Sequence, residues 1–507
     1  MTGGPAGGSA AGVLPAGPPD VVPAGAPGRG GERGRLVRDA ALTIGTRFGL
    51  AILIFATDII LARALGPSAK GRFALVLLYS QLAATLVGLG MDQAIAVVSA
   101  RSATDARRAV ANALVWTAVV GGAAVLASLW LYGVPATGGP PSGPLATLVP
   151  NLSAAQFTIA AFAVPAELLF NLGLFVLLGR GRIAAYSAVR LVRRLTLLAL
   201  LVSTALVTRL DLAAAIVLNL ASLGTTLAAI AWAARRDGLL GGRPSTALLG
   251  EELRFGGRAV VGTLAERLQF RADAFIVNAL AGVRATGIYS VTSGLAETLW
   301  YIPNALGIVM FSRAVDPRAD AGRTAAVLTR TTLAVSLVLA VPAALLGPRF
   351  VRFVYGTSFA DAGVALRLII PGVVAYSVVA ILSRYLTGRG RPGAGTLILL
   401  LGLGTNIAAN LVLVPAYGIN GAAAASSLSY GLTAVVIVAV FLRVSGRGLV
   451  ETLVVRRSDL TAAGAVVAAV ARRASARGRA VRQEPPVEVS PAAADLVIGE
   501  HSPGEEP

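Results

Sequence analysis

The chain has 507 residues, of which 55% are hydrophobic and 14% charged, with a formal net charge of +19. Soluble domains carry about 25% charged residues, so the composition excludes a water-soluble globular enzyme and makes lipid the solvent. With no cysteine, and with the only histidine (His501) in a polar stretch near the C-terminus, it also excludes disulfides, cysteine metal sites and histidine-based hydrolysis, and no metal-ligating set is expected.

Residues 1–38 are rich in Gly, Pro and Ala and read as a disordered cytoplasmic tail without a signal-peptide core. Twelve apolar runs follow, at 40–64, 73–98, 109–133, 154–178, 183–208, 211–234, 256–280, 287–312, 324–346, 361–385, 393–414 and 420–442. Each approaches the roughly 20 residues that cross a bilayer core as a helix. Lipid offers the backbone no hydrogen-bond partner, so the runs are predicted to be helices. The first six make a lobe over 39–236, a linker covers 237–251, and the last six make a second lobe over 252–443. Segment 444–472 contains LTAAGAVVAAVAR, which is short for a span and reads as an amphipathic helix lying on the membrane; 473–507 is a second polar cytoplasmic tail. The expected fold class is all-α: a polytopic membrane protein of about twelve transmembrane helices in two pseudo-symmetric six-helix lobes.

Nearly all the basic residues are arginine, with Lys70 the only lysine. Placing the N-terminus inside puts twenty-three basic residues on the inner side, counted from Arg29 at the end of the first tail to Arg457, and seven on the outer side. This asymmetry predicts a bacterial plasma (inner) membrane protein with both termini cytoplasmic. The basic charge lies between apolar runs rather than in a basic, aromatic-interleaved soluble domain, so no nucleic-acid partner is expected.

The sequence repeats itself. LLGRGR (177–182) and LTGRGR (386–391) lie 209 residues apart, and Asp211 stands at the same distance before Asn420. Upstream, TDIILARALGPSAKGRFAL (57–75) matches ADAFIVNALAGVRATGIYSV (272–291), pairing Asp58 with Asp273 and Gly71-Arg72-Phe73 with Gly287-Ile288-Tyr289. A six-helix repeat enters the membrane from the same side in both copies, so the lobes are related by an axis along the membrane normal, with a cleft between them. The GRGR tetrapeptides are predicted to be tight inner turns.

Charged side chains at mid-bilayer cost about 2.5–3.5 kcal/mol each on insertion scales and so face a cavity or a partner. Here they are Arg47 and Asp58 in the first span, Asp92 in the second, Glu167 in the fourth, Arg190, Arg193 and Arg194 in the fifth, Glu266, Arg267, Arg271 and Asp273 in the seventh, Glu297 in the eighth and Arg367 in the tenth. Arg190 and Arg194 share a helix face, as do Arg267 and Arg271. Two like charges on one buried face suit a polyanion, and guanidinium forks suit phosphate. Arg47, Arg190, Arg194, Arg267 and Arg271 are therefore the candidate ligands for a pyrophosphate and acidic sugars. Asp58, Asp92, Glu167, Glu266, Asp273 and Glu297 are candidates either for pairing with these arginines or for coupling transport to H+ or Na+. No other cofactor is expected.

Four segments, in order, resemble the polysaccharide-biosynthesis flippases of the multidrug/oligosaccharidyl-lipid/polysaccharide exporter superfamily. They are LARALGPSAKGRFAL (61–75), RADAFIVNALAGVRATGIYSVTSGLAETLWYIPNALGIVMFSR (271–313), VYGTSFADAGVALRLIIPG (354–372) and NIAANLVLVPAYGINGAAAASSLSY (406–430), within a likeness spanning about residues 36–445. The resemblance implies alternating access between two lobes. Its cargo would be an undecaprenyl-pyrophosphate-linked oligosaccharide, flipped to the outer leaflet for surface polysaccharide export. Its partners would be this polyprenyl-pyrophosphate glycolipid, membrane lipids, glycosyltransferases and a polysaccharide polymerase. The peptidoglycan-precursor flippases of the same superfamily carry an Arg-Asp pair in the first span; here Asp58 matches the acid, but Thr57 stands in place of the arginine. That reading and a drug or metabolite cation antiporter are the alternatives. A membrane glycosyltransferase or polymerase is remote, because the 133–153 loop has no acid, base or histidine.

Overall fold

The computed structural model describes residues 31–135, 139–316, 320–456 and 459. Residues 1–30, nearly all of the amphipathic run after 459, and the tail at 473–507 lie outside the described residues. In chain order the elements are α1 (Gly31–Gly88), α2 (Met91–Arg101), α3 (Ala103–Trp116), a π-helical turn (Thr117–Gly121), α4 (Gly122–Tyr132), α5 (Pro144–Leu148), α6 (Ala154–Gly179), α7 (Ile183–Val207) and α8 (Leu212–Arg236). There follow α9 (Thr246–Thr298), α10 (Tyr301–Val315), α11 (Ala321–Tyr355), a 3₁₀ turn (Thr357–Phe359), α12 (Asp361–Gly388), α13 (Pro392–Ser445) and α14 (Leu449–Leu453). No strand occurs among the described residues.

Among the described residues, eight helices are long and apolar enough to cross a membrane. Three of them hold two spans each, because α1, α9 and α13 bend at Gly66 (φ 69°), Gly282 (φ 84°) and Gly418 (φ 55°). Only glycine takes these left-handed values without strain, and Pro67 then opens the second arm of α1 with its ring already at a helical φ. The twelfth span is α7, whose length fits but whose Arg190, Arg193 and Arg194 lower its apolarity. The twelve expected spans therefore all appear as helices. The second span breaks at Leu89 and Gly90, between the last arm of α1 and α2, and the eighth breaks at Leu299 and Trp300, between α9 and α10. The most buried spans are α6 and α12, fourth and tenth in order and so equivalent in the repeat. Each lobe has its own core, one around Leu168 and Leu172 of α6, the other around Ile381, Leu382 and Tyr385 of α12.

The two GRGR tetrapeptides make the same turn. Gly181 (φ 69°) and Gly390 (φ 74°) are left-handed, and Arg182 and Arg391 each donate an N–H back to a carbonyl five residues earlier, Leu177 and Leu386, at 2.9 Å. This is the glycine-terminated helix end in which two orphan carbonyls are satisfied at once. After it the copies differ: the Asp211 side chain caps α8 through the Ala214 N–H, whereas Asn420 lies inside α13 past its bend.

The lobes meet most closely at the end away from the GRGR turns. Gly71 and Gly287, paired by the repeat, face each other across the pseudo-symmetry axis, and a Cβ on either would overlap a backbone carbonyl of Val283 or Pro67. Around this crossing, Lys70 Nζ donates to Asp58 Oδ1 at 2.7 Å and to Ser290 Oγ at 3.0 Å, and Tyr355 Oη donates to Asp58 Oδ2 at 3.1 Å. Arg63 donates to the carbonyls of Phe353 and Val354, both at 2.6 Å, and Asn278 Nδ2 to Pro150 O at 2.7 Å. At the arginine-rich end the lobes touch along one side, where α9 starts. Arg101 pairs with Glu251 at 2.6 Å, Asn112 holds Glu252 and the Ser245 backbone, and Gln93 donates to Thr263. On the other side, no hydrogen bond, ion pair or ring contact among the described residues joins α7 to the second lobe.

Past the last span, α14 folds back onto α11. Arg330, buried in α11, donates to Asp459 at 2.9 Å and to the Glu451 carbonyl, and Arg447 bridges Asp320 and Glu451. The start of the expected interfacial segment is thus tied to the second lobe.

Candidate functional site

The side chains that sequence reasoning grouped as one site separate into three environments. The first is the cleft face of α7. Arg190 and Arg194, one helical turn apart, are half-buried, and neither makes an ion pair among the described residues. Arg190 lies over the Tyr186 ring at 5.4 Å. Tyr301, at the start of α10 in the second lobe, lies within electrostatic reach of both arginines. By helix rise Arg194 sits about 16 Å from the arginine-rich end of α7, near mid-depth. The third arginine of this helix behaves differently: Arg193 points into the lobe, forks onto Glu167 of α6 (3.1 Å for one of its two bonds) and stacks at 4.5 Å on Phe170. Within one turn and a residue, α7 thus turns Arg190 and Arg194 to one side, toward Tyr301 of the second lobe, and buries Arg193 on the other with its own acid.

The second environment is the first arm of α9, the seventh span. Arg267 donates from Nη1 to Thr85 Oγ1 of the first lobe at 2.8 Å; among the described residues it is in no ion pair, and Asp92 lies within electrostatic reach of it. It borders a narrow crevice shared with Asp92, Asn171 and Thr263. Asp92 is half-buried and accepts the Gln93 N–H at 2.9 Å. One turn further on, Arg271 binds Glu297 through two hydrogen bonds, at 2.5 and 3.0 Å, so it is not a free phosphate ligand; its charge is neutralised by a carboxylate 26 residues away. Both side chains of this pair keep roughly a third of their surface accessible, 36% and 32%, although they stand at mid-span. Glu266 is exposed and in no ion pair among the described residues.

The third environment holds the remaining acids. Asp58 is committed to Lys70 and Tyr355 at the sealed end. Asp273 is buried in the second lobe, accepting from Tyr289 Oη at 2.6 Å and Ser426 Oγ at 2.5 Å, with its Oδ1 unpartnered among the described residues. The repeat equivalents Asp58 and Asp273 have therefore diverged: one ties the lobes together, the other stays inside its own. Arg367 is exposed and donates to the Ala344 carbonyl at 2.9 Å, away from this group. The side chain of Arg47 is outside the described part of α1.

Residues 36–319, more than half of the chain, match the family model of the polysaccharide biosynthesis proteins. The chain belongs to this family. Its fold is that of transporters of the MOP superfamily. A multidrug-resistance MATE family transporter in an inward-facing conformation aligns with a TM-score of 0.62 at 17% identity, over 78% of this chain and 94% of that one. The lipid II flippase MurJ in an inward closed conformation aligns at 0.61 and 12% identity, over 81% and 90%. A MOP superfamily transporter from Pyrococcus furiosus, reported with a binding pocket of reverse polarity, aligns at 0.58 and 15% identity, over 81% and 95%. At such identities the likeness is one of fold. No curated protein matches the chain.

Within this polysaccharide biosynthesis protein, sequence reasoning missed three participants. Lys70 had a signal, being the only lysine, and it turns out to be buried between the lobes. Tyr301 and Thr85 had none, because an isolated tyrosine or threonine in an apolar run looks like ordinary helix filling. At Thr57 the departure from the Arg-Asp pair carries through: its hydroxyl is buried without a partner among the described residues, and the basic partner of Asp58 is Lys70, twelve residues on.

Proposed function

We propose that this protein flips a polyprenyl-pyrophosphate-linked oligosaccharide, undecaprenyl-linked in a bacterium, from the inner to the outer leaflet of the plasma membrane for surface polysaccharide export. The observation that carries this reading is the set of three arginines in no ion pair among the described residues, Arg190, Arg194 and Arg267, on the spans that flank the cleft between the lobes, the last two near mid-depth. Asp92 lies within electrostatic reach of Arg267 and Glu167 within reach of Arg194, but guanidinium groups held in no ion pair in a low-dielectric cleft still attract a pyrophosphate, and their planar forks fit its oxygens. The arginine-rich end is assigned to the cytoplasm, where the lipid head enters; the lipid tail stays in the bilayer. The sealed end must then open to release the head outside. Glycosyltransferases supply this cargo and a polymerase uses it after transfer. Asp92, in the crevice beside Arg267, and the exposed Glu266, neither in an ion pair among the described residues, are the positions assigned to H+ or Na+ coupling.

A cation antiporter would put its carboxylates, not its arginines, at the open face. A peptidoglycan-precursor flippase fits less well because Thr57 and Lys70 replace the arginine beside Asp58. The test is an export assay on Arg190→Ala, Arg194→Ala and Arg267→Ala. Each should lower surface polysaccharide at least about tenfold at equal levels of folded membrane protein, the loss of one charge-assisted hydrogen-bonding group. Unchanged export in all three variants, or uptake of cationic dyes by liposomes holding the wild type, would overturn the proposal.

A further inference from the structure

The cleft is not uniformly cationic, and the exception lies one turn from the arginine set. The Arg271–Glu297 pair is neutral as a unit, bonded through both guanidinium nitrogens, yet its two side chains are 36% and 32% accessible. Arg271 follows Arg267 by four residues on α9 and so shares its helix face, while Glu297 stands in the last turn of α9, just before the break that leads to Tyr301. Such a pair has little net attraction for phosphate, and the Glu297 carboxylate repels it. What it offers is unused hydrogen-bonding capacity of both kinds. A guanidinium has five N–H donors, of which two are spent here, and each carboxylate oxygen keeps a lone pair. Ligand groups that donate and accept over the same few ångströms are hydroxyls, and adjacent hydroxyls on a ring match a fork.

The surroundings agree. Phe270, next to Arg271, meets Trp300 at 4.9 Å and Tyr430 at 5.9 Å between ring centroids, and Trp300 meets Tyr430 at 5.5 Å. Trp300 is fixed by its own indole N–H on the Val373 carbonyl at 3.0 Å. The Tyr430 hydroxyl, within electrostatic reach of Arg271 and Glu297, makes no hydrogen bond among the described residues. Trp300 and Tyr430 are buried in the core of the second lobe and Phe270 is half-buried in front of them, so the cluster is a rigid backing that holds an aromatic edge beside the polar fork, a contact suited to the apolar side of a pyranose whose hydroxyls bond the fork.

Resting on the flippase reading above, we infer that the second lobe carries a sugar subsite next to the cationic one: the Arg271–Glu297 fork and the Tyr430 hydroxyl, beside the half-buried Phe270 ring, hold the pyranose joined directly to the pyrophosphate. The phosphate ligands then come from both lobes, Arg190 and Arg194 from the first and Arg267 from the second, and the sugar ligands from the second alone. Arg267 and Arg271 are one helical turn apart, a rise of about 6 Å. That step suits a diphosphate followed by its first sugar ring.

The experiment uses the purified full-length protein in nanodiscs and two probes, a polyprenyl pyrophosphate without sugar and the same lipid carrying one hexose. The wild type should bind the hexose-bearing probe about tenfold more tightly, the size of one or two hydrogen bonds. Glu297→Gln and Tyr430→Phe should remove that increment without weakening the sugar-free probe, whereas Arg194→Ala should weaken both. Tyr430→Phe keeps the ring cluster intact and so protects the test against a folding defect. If the wild type binds both probes equally, or the two variants weaken both by one common factor, the subsite is wrong while the flippase reading stands. If the wild type binds neither, both fall.

Discussion

Arg193 and Arg194 are neighbours in sequence, carry the same group and have opposite fates. A helix turns 100° per residue, so one reaches Glu167 inside the first lobe while the other faces the cleft. For Arg193 the pair is a burial device: both groups are buried, and each compensates the other's desolvation. Breaking such a pair from one side leaves a charge with no partner and costs about 3–5 kcal/mol. Glu167→Ala is therefore expected to lower the thermal midpoint of the purified protein sharply, or to abolish folded expression. The double variant Glu167→Leu with Arg193→Met should recover much of the loss, since a well-packed apolar replacement of a buried pair is close to neutral. A melt of Glu167→Ala indistinguishable from wild type would mean the pair is not buried as described. Residue types and depths were legible in the sequence, because a charge in an apolar run announces itself. Partners were not. Glu167 and Arg193 are 26 residues apart, and so are Arg271 and Glu297, while Asp58 and Tyr355 are 297 apart. Only the packing of helices decides which acid meets which base, and that is why Arg271 read as a phosphate ligand.

At the scale of elements the sequence said most. Expected spans at 154–178, 183–208 and 361–385 stand beside helices Ala154–Gly179, Ile183–Val207 and Asp361–Gly388. A bilayer permits few alternatives to a helix, so hydropathy suffices. The bends were less visible, since Gly66, Gly282 and Gly418 looked like separators between runs rather than hinges within continuous helices. The repeat alignment of Gly71 with Gly287 did hold a structural fact, for these are the residues at which the two lobes cross. A side chain at that crossing must push backbone apart, and overpacking of this kind costs about 1–3 kcal/mol. Gly287→Val should thus shift the molecule toward an open sealed end, by a factor of roughly 5–30 for a change of one or two kcal/mol. The measurement is the rate at which a membrane-impermeant maleimide labels a cysteine introduced as Ser68→Cys, one residue past Pro67. Gly294→Val, which adds its side chain into open space, is the control and should leave the rate unchanged. Equal rates in the two variants would remove the crossing from the gate.

For the whole molecule, the question is whether the end closed by Gly71, Lys70, Asp58, Tyr355 and Arg63 has to open during transport. Its interlobe contacts are a handful of hydrogen bonds and the Phe55 ring packed on Phe350 and Tyr355, whereas each lobe is held internally by a large apolar core. Such a division favours movement of the lobes as bodies over rearrangement within them. Cooperative cores resist partial change, while a handful of interlobe hydrogen bonds, each worth about 0.5–1.5 kcal/mol net, can be exchanged for water. The chain contains no cysteine, so a pair can be introduced without background. Arg63 donates to the Phe353 carbonyl across the seam, and both residues are exposed. Bridging Arg63→Cys and Phe353→Cys with a short bis-maleimide should stop export nearly completely, while each single variant treated with the same reagent retains most of it. A thiol-cleavable linker should allow export to return on reduction. If the bridged protein continues to export polysaccharide, the head group leaves by another route, and the two-lobe rocking inferred from the cleft is wrong.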